Sequence, residues 1–117
     1  MSGEWLELAH QIVSTLEEKK GEDIVLLDLL EVSTFTDYFV ICSASSERTL
    51  QALAEEVQRR VPLPRDEPGP RKEGAAASGW LLLDYGGVIL HLFSPETRAY
   101  YRLEDLWREG SVLLRVQ

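Results

Sequence analysis

The sequence predicts one α/β domain of mixed α+β type, with about five strands and several helices. Segments with the apolar spacing of helices alternate with short apolar runs that are typical of buried strands. A Gly86-Gly87 pair between two such runs is typical of a β-hairpin. A chain of 117 residues, 44% of them hydrophobic, has enough apolar surface for a single core.

The first helix is predicted by apolar residues three and four positions apart, and we expect it to end near Lys19-Lys20-Gly21. The two lysines suit the negative end of the helix dipole, and Gly21 suits the cap. The apolar stripe consists of Trp5, Leu8, Ala9, Ile12, Val13 and Leu16.

Two strands and a second helix follow. The apolar run 24–30 is too short for a typical helix and predicts a strand that is covered on both faces, and residues 38–42 predict a second strand. Residues 43–46 offer N-cap serines for a helix that Pro62 ends. The apolar stripe of this helix consists of Leu50, Leu53, Ala54, Val57 and Val61.

A proline-rich segment divides the chain. Four of the five prolines lie between Pro62 and Pro70, among charged residues. This composition predicts an exposed connection at about 62–72. Because neither half could bury much core alone, we expect one domain spanning residues 1–117.

The Gly86-Gly87 turn fixes the register of the predicted hairpin, and side chains then alternate between its two faces. One face is apolar apart from a phenol and should be the core face. The other suits either the inner face of a helix-covered sheet or a docking surface, and the pattern leaves both open. The first face carries Leu81, Leu83, Tyr85, Val88, Leu90 and Leu92, and the second carries Trp80, Leu82, Asp84, Ile89, His91 and Phe93, with Trp80 opposite Phe93, Leu82 opposite His91 and Asp84 opposite Ile89.

The end of the chain predicts three short elements. Ser94-Pro95-Glu96 has the order of N-cap, first-turn proline and first-turn acid of a helix. Residues 103–107 predict another helical turn, and residues 112–116 predict a final strand.

Few residues suggest catalysis or the binding of a metal or cofactor. Asp84 and His91 are diagonal neighbours in the hairpin, but no nucleophile accompanies them, so we interpret them as a hydrogen-bonded or salt-bridged pair. Cys42 lies in an apolar strand and should be buried, and His10 lies off the apolar stripe and should be solvated. One cysteine, two distant histidines and no phosphate-binding motif predict no metal site, no cofactor and no enzymatic activity.

Charge limits the class of partner. The net charge is −8, and residues 1–60 hold 12 acidic and 5 basic residues, whereas residues 61–117 hold 8 and 7. The acidic half should repel nucleic acid, so we expect a basic protein, or a mixed surface that meets the near-neutral C-terminal half. The sequence contains neither a membrane-length apolar run nor a secretory signal pattern, so we expect no membrane contact and a cytoplasmic location.

Several segments form a familiar combination: a Thr-Asp-Tyr-Phe-Val-Ile run at 36–41, a Trp-to-Tyr-Gly hairpin at 80–86 and a Tyr-Tyr to Leu-Trp end at 100–107. With the shorter segments 28–29, 45–49, 72–74 and 91–93, they resemble the ribosomal silencing factor family, also called Iojap-like. The resemblance covers nearly the whole chain. It departs from the family pattern at Gly87, where members often carry an acid, and at Ala44, where they often carry glycine.

The resemblance implies a function. Family members bind ribosomal protein fourteen of the large subunit and block joining of the small subunit, which represses translation when nutrients are limited. It also implies a mixed β-sheet of about five strands flanked by helices, similar to a nucleotidyltransferase core without its catalytic residues. In agreement with that loss, the loop 43–46 is not followed by an Asp-x-Asp metal-binding pair. The alternatives are a self-associating regulatory domain, in which an edge strand or the hairpin makes a homodimer, and a degenerate nucleotidyltransferase-like enzyme.

The resemblance also implies a docking surface. Carried over, its centre is Trp80 with Leu81 and Leu82. The hairpin register puts Leu81 on the core face instead, and the sequence leaves this conflict open. The charged or polar residues around the centre are Glu73, Asp84, His91 and Arg98.

Overall fold

A computed structural model describes residues 2–63, 69–106 and 110–116. Helices and strands account for most of this length. In chain order they are α1 (Ser2–Glu18), β1 (Glu22–Asp28), β2 (Tyr38–Ser43), α2 (Glu47–Arg60), β3 (Arg71–Ala75), a 3-10 turn (Ala76–Ser78), β4 (Trp80–Asp84), β5 (Val88–Phe93), α3 (Pro95–Tyr101), α4 (Leu103–Leu106) and β6 (Ser111–Val116).

The strands form one mixed sheet in the order β3-β4-β5-β2-β1-β6. Strands β2 and β5 are parallel, and the other neighbours are antiparallel. The predicted mixed sheet flanked by helices is confirmed, with six strands instead of about five. The additional strand is β3, which begins inside the range predicted as an exposed connection. All five of its residues are exposed, so it lacks the apolar alternation that identifies a strand in a sequence. Residues 64–68 of that connection lie outside the described residues.

The hairpin β4–β5 has the predicted register, with Trp80 opposite Phe93 and Leu82 opposite His91. Gly86 supplies the positive φ of the turn, at 98°. A Cβ added at Gly87 would lie 2.3 Å from the Trp5 ring, so this position needs glycine for close packing against α1. The register places the predicted apolar face of the hairpin in the core.

The main core lies between the sheet and helices α1 and α2. The predicted stripe of α1 is buried from Leu8 to Leu16, and the α2 residues Leu50, Leu53, Ala54 and Val57 are buried beside it. Tyr85, which follows β4 in the hairpin, is also buried in this core, and its hydroxyl donates a 2.7 Å hydrogen bond to the carbonyl oxygen of Val61. The periodic apolar residues of the two helices therefore cover the central strands on one face of the sheet.

The end of α1 differs from the prediction. Lys20 adopts the left-handed conformation, with φ 71°, and Gly21 does not, although the Gly21 amide bonds to the carbonyl oxygen of Leu16. Gly21 is required for space, since a Cβ there would lie 2.5 Å from the sulfur of Cys42. The glycine predicted as a cap is therefore a packing contact between the end of α1 and β2.

The other predicted helix ends are confirmed. Ser46 caps α2, which ends before Pro62, and Ser94 caps α3 with Pro95 in the first turn. The predicted last strand is β6, and α4 is the predicted turn near 103, whereas Trp107 lies outside the described residues. No helix in the described ranges combines the length and apolarity that a bilayer span requires.

A smaller core lies on the opposite face of the sheet. Strand β1 is buried on both faces as predicted, with Ile24 and Leu26 in the main core and Val25 and Leu27 in the smaller one. The smaller core includes Phe93 and is covered only in part, by the segment after β1 and by Leu103 of α4. Trp80 and Leu82 pack against this core as partly buried side chains.

Candidate docking surface

A continuous set of aromatic rings lies on the face of the sheet opposite α1 and α2. Three of its side chains are exposed to an extent that is unusual for large apolar groups: Tyr100 by 79%, Phe35 by 56% and Tyr101 by 47%. Ring contacts connect Tyr100 to Tyr101, Tyr101 to Trp80, Trp80 to His91, His91 to Phe39 and Phe39 to Phe35. We call the solvent-facing rings, together with the neighbouring Leu82, the aromatic face; the rings are Phe35, Trp80, Tyr100 and Tyr101.

Trp80 is the centre of the aromatic face. As the first residue of β4 it lies opposite Phe93, and the two ring centroids are 4.9 Å apart. On its other side the Tyr101 ring of α3 is 4.8 Å away. The indole N–H donates a 3.2 Å hydrogen bond to Nδ1 of His91. Trp80 is half-buried and held on three sides, so it can contact a partner with little loss of side-chain entropy.

A groove of about 300 Å³ runs beside Trp80 and is lined by Glu73, Gly74, Ser78, Trp80 and Leu82. Gly74 has φ 84°, and a Cβ there would lie 2.3 Å from the carbonyl oxygen of Trp80. The glycine therefore lets β3 approach β4 closely. Apolar walls with one carboxylate at the side suit a long side chain that has an aliphatic stem and a cationic head.

His91 lies directly beneath the aromatic face and is only 4% exposed. Its ring is 4.5 Å from Phe39 and lies parallel to Phe93, within 9°. This burial lowers the pKa of the imidazole from 6.5 to about 3. His91 is therefore neutral at physiological pH, and a partner cannot contact it directly, which corrects its prediction as a docking residue.

The buried imidazole predicts an acid-dependent loss of stability. The pKa of His91 is lower in the folded chain than in the unfolded chain. The unfolded chain therefore binds a proton at this imidazole below about pH 6.5, whereas the folded chain binds it only below about pH 3. Stability is therefore complete above pH 6.5 and falls as the pH falls through this window. We expect the free energy of unfolding to drop by roughly 2 kcal/mol between pH 6.5 and 5, as measured by urea denaturation.

The matched variants for this measurement are His91→Phe and His10→Asn. His10 is exposed on α1, so His10→Asn should keep the wild-type pH slope, whereas His91→Phe should flatten it. An unchanged slope in His91→Phe would assign the acid sensitivity to other groups.

Asp84 and His91 do not form the predicted pair. Asp84 accepts the Gly86 amide at 2.8 Å and forms an ion pair with Arg71 at 3.2 Å. Arg71 also pairs with Glu73 at 3.0 Å. The predicted pairing fails because β3 brings a guanidinium to the exposed end of the hairpin, and the sequence did not reveal β3. Of the two acidic residues predicted to dock, Glu73 lines the groove, whereas Asp84 lies at the end of β4 in its ion pair with Arg71.

Arg98 joins several parts of the chain through its hydrogen bonds. It forms a bidentate ion pair with Glu104, at 3.0 and 2.8 Å, and donates to the carbonyl oxygen of Asp23 and the hydroxyl of Ser43. Its side chain is 11% exposed. These bonds attach α3 to the ends of β1 and β2 and use four of the five guanidinium donors, so Arg98 mainly supports α3 and keeps only one donor for the docking role predicted for it.

Leu81 belongs to the core. It is 1% exposed and packs in the main core under α1 and α2. Its neighbour Leu82 is half-buried on the opposite face, beside Trp80. Strand alternation therefore decides the conflict left open by the sequence, and Leu81 is removed from the docking surface.

The sequence reasoning did not single out Phe35, Tyr100 and Tyr101 as docking residues. Tyr100 and Tyr101 lie at the end of α3, and only the folded chain shows that this helix returns to Trp80. A usable signal was the adjacent pair of tyrosines in a polar seven-residue helix, because such a helix cannot bury both rings.

Cys42 carries the one thiol of the chain and is not part of the aromatic face. Cys42 is fully buried, and burial raises the pKa of its thiol to about 12, so it is protonated and unreactive at neutral pH. Within the described ranges, no three His, Cys, Asp or Glu side chains cluster in a way that could hold a metal ion.

Comparisons with known proteins agree on one family. A family model described as ribosomal silencing factor during starvation matches residues 3–116. A ribosomal silencing factor of Halalkalibacterium halodurans is 38% identical over 89% of this chain and 88% of its own length. The mitochondrial assembly of ribosomal large subunit protein 1 of Mus musculus is 37% identical over 82% of this chain and 43% of its own length. A crystal structure of a Chromobacterium violaceum protein, 28% identical, superposes with a TM-score of 0.77 over 93% of this chain and 92% of that one.

Proposed function

The chain belongs to the ribosomal silencing factor family, and on that premise we propose that its aromatic face binds ribosomal protein fourteen of the large subunit and blocks joining of the small subunit. In this proposal the protein acts in the cytoplasm as a single domain and represses translation under nutrient limitation. Its family is named for silencing ribosomes, a regulatory role, and the chain is accordingly a regulator and not an enzyme.

The aromatic face is the observation that supports this proposal. Interface hot spots are enriched in Trp and Tyr near the centre of a patch, surrounded by polar groups. Here Trp80 is central, Tyr100 and Tyr101 flank it, and Glu73 lies at the groove. A monomer that kept this face in water would expose several large rings at once, so the face suits a protein partner.

Charge favours a basic protein over RNA. The net charge of −8 repels phosphate and attracts a basic surface at long range. Close to the aromatic face the charges are mixed, since Arg71 lies between Glu73 and Asp84. In this proposal the near-neutral half of the chain supplies most of the contact, and α1, which holds four acidic residues and no lysine or arginine, lies on the opposite side of the sheet.

The proposed mechanism is steric exclusion. A domain of 13.3 kDa that covers about 800 Å² on the joining face prevents subunit association by occupancy. The mechanism requires neither bond making nor a cofactor. The mouse relative is named for assembly of the ribosomal large subunit, which is consistent with a partner on that subunit.

The test is subunit joining, followed by light scattering. Purified large subunits are preincubated with the protein before small subunits are added. We expect joining to decrease in amount or rate as the protein concentration rises, and the protein to sediment with large subunits but not with small ones. Unchanged joining without co-sedimentation would overturn the proposal.

A homodimer is the second candidate, and the sheet edge favours it. Strand β6 is an edge strand, and two of its apolar residues are exposed, Val112 by 51% and Leu113 by 45%. Such an edge can pair with the same strand of a second copy. Light scattering across a range of concentrations would show a mass of twice 13.3 kDa if the edges pair, and a constant single mass if they do not.

A further inference from the structure

We propose that His91 is a positioning residue for Trp80: its buried imidazole accepts the indole N–H and fixes the orientation in which Trp80 meets the large subunit. The binding part of this inference rests on the proposed function. The orientation of the indole is a property of the free protein and can be tested without ribosomes.

The hydrogen bond fixes the tautomer of His91. Because Nδ1 accepts from the Trp80 indole at 3.2 Å, the proton of the neutral ring lies on Nε2. Nε2 is buried and has no hydrogen-bond partner within the described part of the chain. The protein thus leaves one donor of His91 unsatisfied, at a cost in stability, while its other nitrogen serves Trp80.

The surroundings of His91 would suit a hydrocarbon ring. Phe39 meets it edge to face with centroids 4.5 Å apart, and Phe93 lies parallel to it at 6.0 Å. A phenyl group at position 91 could fill this space without an unsatisfied donor. What a phenyl group lacks is the acceptor for Trp80, so the bond to Trp80 is the feature that distinguishes histidine at this position.

The bond selects one of two indole orientations. Rotation of a tryptophan ring about χ2 has two broad minima, and ring contacts alone distinguish them weakly. The tilted contacts of Trp80 with Phe93 and Tyr101 hold the ring in place, and the bond to His91 determines which edge turns inward. Trp80 also lines the groove, together with Leu82 and Glu73. A flipped indole would change the shape of this groove and its fit to a partner.

The test compares His91→Phe with His91→Asn. Phenylalanine keeps the ring volume and removes the acceptor, whereas the Oδ1 atom of asparagine can take the place of Nδ1. The indole N–H signal of Trp80 is read in a ¹H–¹⁵N correlation spectrum, where its absence in Trp80→Phe assigns it. In His91→Phe we expect this signal to shift and its exchange with solvent to accelerate about tenfold, the equivalent of one lost hydrogen bond. In His91→Asn the exchange should return toward the wild-type rate.

Large-subunit binding and urea denaturation are measured on the same proteins. We expect His91→Phe to bind about tenfold more weakly although it resists urea at least as well as wild type, because the buried donor is gone. His91→Asn should bind better than His91→Phe although it leaves a cavity and resists urea less. If the two variants rank in one order for large-subunit binding and in the opposite order for urea resistance, His91 acts by positioning Trp80. A purely structural residue would change binding and stability in the same direction.

The outcomes separate the two proposals. An unchanged indole signal and exchange rate in His91→Phe would overturn the positioning role, as would binding losses that follow the stability losses. If wild type does not bind large subunits while the spectra still distinguish the variants, the proposed function fails and the orientation of Trp80 by His91 stands.

Discussion

Trp80→Ala is expected to weaken binding to large ribosomal subunits roughly a hundredfold, the equivalent of about 3 kcal/mol, while the domain stays folded. Trp80 is the point where the ring contacts of β4, β5 and α3 meet, so its removal takes away the centre of the aromatic face. The loss also releases Tyr101, which would then be free to sample other rotamers. Titration of labelled protein with large subunits measures the affinity.

The matched control for Trp80→Ala is Trp5→Ala. Trp5 is also a half-buried tryptophan, but it lies on α1, on the opposite side of the sheet, packed against Gly87. Both variants should lower the free energy of unfolding, by about 2 kcal/mol each, a fraction of the usual stability of a domain. Only Trp80→Ala should lose binding. Equal binding by both variants would place the docking surface elsewhere.

The elements that sequence predicted best are those whose signal is local. The Gly86-Gly87 turn determined the β4–β5 register, and with it the burial of Leu81 and the position of Leu82. Periodic apolar residues predicted α1 and α2, and Ser94-Pro95 predicted the start of α3. Each of these signals acts within a few residues and favours one backbone geometry without contacts from distant parts of the chain.

The remaining features depend on contacts between residues distant in sequence. Strand β3 forms from an exposed charged segment only because β4 offers it an edge. Arg98 carries no local sign that it will join Asp23, Ser43 and Glu104. The same holds for the aromatic face: the hairpin register put Trp80 and Leu82 on one face of β4, whereas Tyr101 joins them through the packing of α3. Sequence therefore predicted the part of the aromatic face that lies on the hairpin.

A pair of neighbouring substitutions, Leu81→Asp and Leu82→Asp, is expected to have opposite effects. Leu81 is fully buried between the sheet and the two long helices, so an aspartate there would place a carboxylate in a hydrocarbon core. That penalty, added to the loss of about 2–5 kcal/mol for a buried leucine, is comparable to the whole stability of a domain. We therefore expect Leu81→Asp to be unfolded, as seen by circular dichroism and by a collapsed amide spectrum.

Leu82→Asp should be folded and should fail to bind. Leu82 is half-buried at the groove, so an aspartate side chain there can reach water and avoid the desolvation penalty. The new carboxylate would lie beside Trp80, on the apolar wall that a partner must cover, where an unpaired charge opposes binding. A native amide spectrum with large-subunit binding lost roughly a hundredfold is the expected result. If Leu82→Asp unfolded and Leu81→Asp stayed folded, the two faces of β4 would be exchanged, and the aromatic face could not be the docking surface.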